Sequence, residues 1–352
     1  LSSDIITMVH GSGGSATSEL IESIFEKNFD NDTLSEMEDS AVVEGAPRFA
    51  VTTDSFVVKP LFFQGGDIGR LSICGTVNDL LMRGAVPKYI TCGMILEEGA
   101  SIDNLRRITE SMAETAKEAG VEIVAGDTKV IEGNGGIIIN TAGVGFVDEK
   151  LDIASGNARP GDKIIVSGNI GEHHAAILAS RLGIETDIKS DCAPLVKIVH
   201  NLIAHRIRIH VLRDVTRGGL ATVLKEIAGA CGNNFMIKEE LLPVTSMVKE
   251  FCGLLGLDPL YMGNEGKLVA IVHPEDEEAA LDIIRHSTYG QDAVCIGEVV
   301  SGGDSASGND RTSGNDCTSS KDHTSGSVIL ETLIGGRREL DVLQGEGLPR
   351  IC

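Results

Sequence analysis

The sequence has no tryptophan, and Phe, Tyr and Trp together make only 3% of its 352 residues. Aromatic platforms on which bases stack are therefore not expected. Positive charge is also scarce: 30 Lys and Arg face 52 Asp and Glu, a net −22. A surface this acidic repels phosphate backbones, which argues against nucleic-acid binding. No apolar run approaches the ~20 residues that span a bilayer, so no membrane insertion is expected. The opening Leu1-Ser2-Ser3-Asp4 lacks the basic start and cleavage pattern of a secretion signal. The eight cysteines stand at 74, 92, 192, 231, 252, 295, 317 and 352. They are too few and too scattered for a disulfide framework, and no C-x-x-C metal or redox motif occurs. A reducing, cytoplasmic setting fits. There is no Walker A run either, so any ATP site must be built another way.

Glycine, by contrast, is abundant at 42 residues, which implies many tight turns or backbone-lined sites. The length suits two domains, each with its own core. Ile5–Val9 reads as a strand running into a glycine loop. A helix follows, with Leu20, Ile21, Ile24, Phe25 and Phe29 on one face. Phe49–Thr53 reads as a strand ending at Asp54, and Val121–Ala125 as a short strand ending at Gly126-Asp127. Pro87–Leu96 and Gly136–Val147 read as further strands. Between them, Ile102–Ala119 is an amphipathic helix stopped by Gly120. A turn-rich break at Ala154–Asp162 marks the domain boundary. Beyond it strands and helices alternate again, including a helix from Gly219. The expected class is mixed α/β (α+β), with domains at 1–155 and 156–335 and a tail at 336–352.

Residues 302–327 differ from the rest. Of these 26 residues, 21 are Gly, Ser, Asp, Thr or Asn, and Ser307–Thr312, Ser313–Thr318 and Ser319–Thr324 share a six-residue period. The repeats carry no apolar residue to build a core, so a flexible expanded loop is favoured over a calcium-binding roll. It separates two strand patterns, Ala293–Val300 and Val328–Ile334, as the tip of an expected hairpin.

Several motifs carry chemistry. Gly11-Ser12-Gly13-Gly14 is open to three readings: a turn before a helix, a backbone cradle for phosphate or for the tail, or a weak dinucleotide fingerprint. Asp39, Asp54, Asp79 and Asp127 stand at strand ends or tight turns. Carboxylates converging at one rim repel unless a cation lies between them, and hard oxygen donors suit Mg²⁺. Any one of these acids alone is equally a cap or turn residue. Asp214-Val215-Thr216-Arg217-Gly218-Gly219 opens a helix. It is either an anion site of amides, hydroxyl and guanidinium, or an Asp cap with a glycine turn. The histidines lack acids or cysteines at ligand spacing and read as helix-face or core residues. The tail Gly345-Glu346-Gly347-Leu348-Pro349-Arg350-Ile351-Cys352 cannot be helical. It is a frayed end or a swinging arm that carries a thiol.

Taken in order, these runs resemble one family. The matching runs are His10-Gly11-Ser12-Gly13-Gly14, Thr52-Thr53-Asp54-Ser55-Phe56-Val57-Val58, Gly65-Gly66-Asp67-Ile68-Gly69 and Cys74-Gly75-Thr76-Val77-Asn78-Asp79-Leu80. Gly126-Asp127-Thr128-Lys129-Val130, Ser190-Asp191-Cys192-Ala193-Pro194, Asn264-Glu265-Gly266-Lys267-Leu268 and the ending Pro349-Arg350-Ile351-Cys352 complete the set. They resemble the HypE family of hydrogenase maturation proteins over nearly the whole chain. The repeat loop, where the family has a short turn, is the departure.

The resemblance implies a two-domain fold like aminoimidazole ribonucleotide synthetase, with ATP between the domains and a homodimer formed through the N-terminal sheet. It implies Asp39, Asp54, Asp79 and Asp214 as Mg²⁺–phosphate ligands. Gly11, Gly13, Gly14, Thr53, Asn78, Asp127, Thr128, Thr216, Arg217 and Gly218 would complete the ATP site. The implied reaction dehydrates an S-carbamoylated Cys352 to a thiocyanate, the source of cyanide for nickel–iron hydrogenase. Glu265 would be the base, and Lys129 would polarise the carbonyl or hold phosphate. Implied partners are a carbamoyltransferase similar to HypF and an iron-carrying HypC–HypD-type scaffold. Two other readings stand beside this one. Selenophosphate synthetases share the aspartate pattern, but they should carry a reactive Cys near the glycine loop, and none precedes Cys74. A non-catalytic, ATP-gated carrier of the tail would also fit.

Overall fold

β-branched and small residues in the first half favour extended chain where a helix can cover one face. The computed structural model describes residues 4–12, 14–36, 40–302 and 326–343. The first half opens with α1 (Ser15–Leu20), which continues in wider π-type turns to Glu26, and α2 (Asp32–Ser35). There follow β1 (Phe49–Phe56), a small ribbon of β2 (Phe62–Phe63) and β3 (Gly66–Asp67), and α3 (Ile68–Leu81). β4 (Val86–Glu97), α4 (Ile102–Ala119), β5 (Glu122–Ile131) and β6 (Ile137–Phe146) complete it. The sheet order is β1-β6-β4-β5, with β4 and β5 parallel across the α4 crossover. Asp67 caps α3 through the amides of Gly69 and Arg70, and Ser101 caps α4. Gly120 ends α4 at φ 71°, a conformation that costs glycine little. Leu71, Ile108 and Met112 of the helices and Ile90, Met94 and Ile139 of the sheet share one core. Side chains of opposite register, Phe49 and Val51, stay 58% and 63% exposed on the other face.

In the second half come β7 (Lys163–Val166), α5 (Glu172–Leu182), α6 (Val196–Ala204) and β8 (Ile209–Asp214). Next are α7 (Gly219–Cys231), β9 (Asn234–Lys238), α8 (Ser246–Leu255) and β10 (Leu268–Val272). Last are α9 (Glu277–His286), β11 (Val294–Val300), β12 (Val328–Glu331) and β13 (Arg337–Leu340). The sheet order is β13-β12-β9-β11-β7-β10-β8. β10 is buried on both faces along its whole length. One face packs on α7 through Val166, Val211, Leu224, Ile227 and Ile271. The other joins Ile198 and Leu202 of α6, and through them Ile73, Val77 and Leu81 of α3. The halves thus share a core. Three fully buried side chains from α3, at ~1.5–3 kcal/mol each, outweigh a partly exposed ion pair such as Arg70–Glu118, worth ~0–1 kcal/mol.

Several elements depart from the sequence reading. Only Ile5 of the expected Ile5–Val9 strand bridges, to Ser101. The chain then turns through Met8–Gly11 because the Thr7 amide donates to His10 Nδ1 at 3.0 Å. β1 and β5 run on past Asp54 and Asp127, so both acids lie within strands rather than at their ends. Asp79 lies in α3, which has no polar stripe because it is buried on nearly every side. The expected hairpin around the repeat loop does not form. β11 pairs antiparallel with β9 on one side and β12 pairs parallel with it on the other, so β9 lies between them. The repeats themselves, at 303–325, lie outside the described residues.

Gly69 tests the packing of α3. A Cβ there would lie 2.3 Å from the Ile108 carbonyl oxygen. Gly69→Ala should push α3 off α4 and cost about 2 kcal/mol in urea unfolding. An unchanged midpoint would refute that close contact.

Candidate functional site

Three of the acids singled out by sequence meet in a cavity of about 230 Å³ between the halves. Asp54 enters from β1, Asp79 from α3 and Asp214 from the end of β8. Thr53, Thr216, Arg217 and Glu265 line the same cavity, together with Ser55, Phe56 and Gly75. Thr52 Oγ1 donates to Asp79 Oδ2 at 2.7 Å and fixes its direction. Gly75 supplies the floor, where a Cβ would lie 2.8 Å from the Phe56 ring and 3.7 Å from Asp54 Oδ2. Thr52 and Gly75 stand in two of the matching runs, but no role could be read for them there, because those roles depend on how α3 packs.

The electrostatics follow from this crowding. Burial, then Asp79, raises Asp54 from 3.8 to about 6, against the pull of Arg217. Burial, then Asp79, raises Asp214 to about 7, with Arg213 opposing. Glu265 is raised well above its ordinary range by burial, then by Asp214, Asp191 and Asp54. Burial and the repulsion between neighbouring carboxylates thus favour the neutral form of these groups. The donor set is hard oxygen and fits a divalent cation that also takes phosphate oxygens. Among the described residues, no three His, Cys, Asp or Glu side chains stand together closely enough to hold a metal ion by themselves.

The α7 start has the geometry of an anion site. Gly218 caps it at φ 78° with no side-chain hydrogen bond to the first amides. Those amides point toward any anion seated there.

Other predicted residues lie elsewhere. Gly11, Asp127, Thr128 and Lys129 line a second cavity of about 350 Å³ between the N-terminal helix and β4–β5, with Ile21, Phe25 and Met94. Lys129 Nζ and the Thr128 amide both donate to Asp127 Oδ1, at 3.0 and 2.9 Å. Gly14 precedes α1. Asn78 is buried, and its side-chain amide is committed to main chain. Nδ2 donates to Ala193 O at 3.0 Å and Glu265 O at 3.3 Å, while Oδ1 accepts from the Leu195 amide at 2.9 Å. Gly13, Asp39 and Cys352 lie outside the described residues. His173 and His174 are core residues, as their sequence context suggests. No helix among the described residues is long and apolar enough to cross a membrane.

Comparison with known proteins gives a consistent picture. Residues 37–147 match the family described as AIR synthase related protein, N-terminal domain, and residues 159–308 match its C-terminal domain counterpart. The carbamoyl dehydratase HypE of Cupriavidus necator is 46% identical, over 99% of this chain and 95% of its own. A crystal structure of hydrogenase maturation protein HypE in complex with ATP has a TM-score of 0.90 and 43% identity, covering 98% of this chain and 99% of that one. A crystal structure of a HypE–HypF complex has a TM-score of 0.75 and 44% identity, covering 92% of this chain and 99% of that one.

The raised carboxyls make stability pH-dependent. Folding tightens their proton binding relative to an unfolded value of 3.8. Their contribution is therefore present below about pH 4 and is lost as pH rises through about 6 for Asp54 and about 7 for Asp214. In chelator-containing buffer, the Tm of the native protein should fall more between about pH 5 and about pH 8 than that of Asp214→Asn. Parallel curves would show that Asp214 is not strained.

Proposed function

The chain belongs to the HypE family of AIR synthase-related proteins, and on that basis we propose that it is an ATP-dependent carbamoyl dehydratase acting on its own C-terminal Cys352. The observation that carries the proposal is the meeting of Asp54, Asp79, Asp214, Arg217 and Glu265 in one cavity. The product is a thiocyanate that supplies cyanide for the iron of nickel–iron hydrogenase.

The starting group is an S-carboxamide on Cys352. Its oxygen is a very poor leaving group. Transfer of the γ-phosphoryl of ATP to that oxygen makes it phosphate, a good one. Removal of both nitrogen protons and departure of phosphate leave S–C≡N, with ADP and phosphate as the other products. Asp54, Asp79 and Asp214, together with Asp39, would hold Mg²⁺ beside the phosphates. Bound Mg²⁺ would offset the charge of the transferring phosphoryl group. Arg217, Thr216 and the first-turn amides of α7 beyond Gly219, whose own amide donates to Thr216 O at 3.1 Å, would hold phosphate oxygens. Glu265 would accept a carboxamide proton as its carboxylate; burial and the neighbouring acids raise its proton affinity and hold it neutral until positive charge enters the cavity.

The position of the tail root supports this. The Leu343 amide donates to Thr222 Oγ1 at 3.2 Å. Thr222 packs on the turn at Gly218, where a Cβ would lie 2.5 Å from its hydroxyl. The nine residues beyond Leu343 extend up to ~30 Å, ample to bring Cys352 to the cavity.

Lys129 is less directly placed. β5 lies three strand spacings from β1, ~14 Å. Lys129 therefore serves this cavity only if the tail moves toward it or a second copy supplies it. A homodimer across the open sheet face, where Phe49 and Val51 are exposed, is part of the proposal. A HypF-like enzyme would supply the carbamoyl group, and a HypC–HypD-type scaffold would take the cyanide. A thiol that must stay free suits the cytoplasm.

Glu265→Gln should bind ATP normally yet leave the carbamoylated tail unchanged by peptide mass. Thiocyanate formed at the normal rate would remove Glu265 as base. Cys352→Ala should abolish all modification, and chelation of divalent cations should stop dehydration of the wild type. Val51→Lys should shift the sedimenting species toward monomer. A dimer that sediments unchanged would move the interface elsewhere.

A further inference from the structure

Glu265 sits in a loop whose main chain is held from two sides by side chains. Its amide donates to Asp191 Oδ1 at 3.0 Å, and its carbonyl accepts from Asn78 Nδ2 at 3.3 Å. Asn78 comes from α3 in the first half, whereas Asp191 lies between α5 and α6 in the second. Asn78 also grips the segment that follows Asp191, through Ala193 O and the Leu195 amide. Gly266 brings the two second-half loop segments of this clamp together, since a Cβ there would lie 1.8 Å from Asp191 O.

Asp191 is an expensive residue for mere bracing. Its side chain is 1% exposed, and Lys267 Nζ stands 3.8 Å from Oδ2. Oδ2 itself has no hydrogen-bond partner. A buried, half-satisfied carboxylate is costly. Such a group calls for a use, and the one hydrogen bond it makes to this loop goes to the amide of Glu265. Asn78, for its part, has one acceptor and one donor group, and both are engaged with main chain.

We propose that Asp191 and Asn78 are positioning residues for the dehydration, a two-sided clamp that aims the Glu265 carboxyl into the carboxylate cavity. The proposal rests on the reading of Glu265 as base. The clamp closes only when the two halves are docked, so it makes the base competent in the assembled cleft. Proton abstraction is sensitive to small displacements, and a ~1 Å error can cost ~10²-fold.

The test uses the full chain, carbamoylated on Cys352 by its carbamoyltransferase partner. It follows thiocyanate on the C-terminal peptide by mass at several ATP concentrations. Asp191→Ala should lower the rate at saturating ATP ~10- to 100-fold while moving the half-saturating ATP concentration by less than ~2-fold. Asp191→Asn keeps an oxygen for the Glu265 amide and should recover most of the loss. Asn78→Ala should show the same split between rate and ATP. Asp191→Ala at the wild-type rate, or no recovery by Asp191→Asn, would overturn the clamp. A rate and an ATP requirement that worsen together would point to general distortion and overturn it too. If Asp191→Ala does not fold, Asn78→Ser decides by the same split. Glu265→Gln in parallel separates the two claims. If it turns over normally, the base assignment fails. If it is blocked while the Asp191 and Asn78 variants turn over normally, only the clamp fails.

Discussion

The structure depends on the burial of α3 between the two sheets. Its apolar residues Ile73, Val77 and Leu81 pack in a core that also holds Ile198 and Leu202 from the other half. Its polar residues are then constrained to point where they are needed. Arg70 and Asn78, two turns apart, reach the Cys192 and Ala193 carbonyls at 2.9 and 3.0 Å. Gly75 and Asp79 face the cavity. One helix therefore docks the halves, floors the site and supplies a carboxylate. A rigid element of this kind is a more precise base for chemistry than a loop.

The cavity runs against ordinary stability. Asp54 and Asp214 are pushed up to about 6 and about 7, and Glu265 is raised as well. A protein optimised for folding alone would neutralise or space these groups. Strain of this sort commonly marks the place where a charged ligand completes the electrostatics. The net charge of −22 argues against nucleic acid and by itself locates no site. A few of those charges now have a specific location where positive charge is wanted.

Much of this was legible in the sequence where a residue's local surroundings match its role. α4 begins after Ser101 and ends before Gly120 as its stripe and stop signals imply. The chemistry of clustered acids singled out Asp54 and Asp79, neither of which is at a strand end, but it grouped them with Asp39 and Asp127; Asp127 lines the other cavity, and Asp214 joined the set only through the family resemblance. α3 was not legible, because a helix buried all round has no amphipathic stripe. Nor was the position of Asn78. Its neighbour Asp79 reaches the cavity, while Asn78 itself turns to a segment 115 residues away. Separations that long leave no periodic trace in the chain. The hairpin failed for a related reason: no local signal announces that β9 will slide between two consecutive strands.

That intervening strand bears on the repeat insertion. A Cβ at Gly302 would lie 2.5 Å from Gly232 O, and one at Gly326 would lie 2.1 Å from Asn233 O. Both ends of the connection thus rest on the same turn, just before β9 begins. The two anchor points form a neck, held further by the Ser327 amide on Asn234 Oδ1 at 2.8 Å. Loop closure costs only ~0.6 kcal/mol per doubling of length once the ends are fixed. At that cost, a longer or shorter run of hexads between these fixed ends changes the stability of the sheet beneath it very little. The insertion is a place where chain length is free to drift.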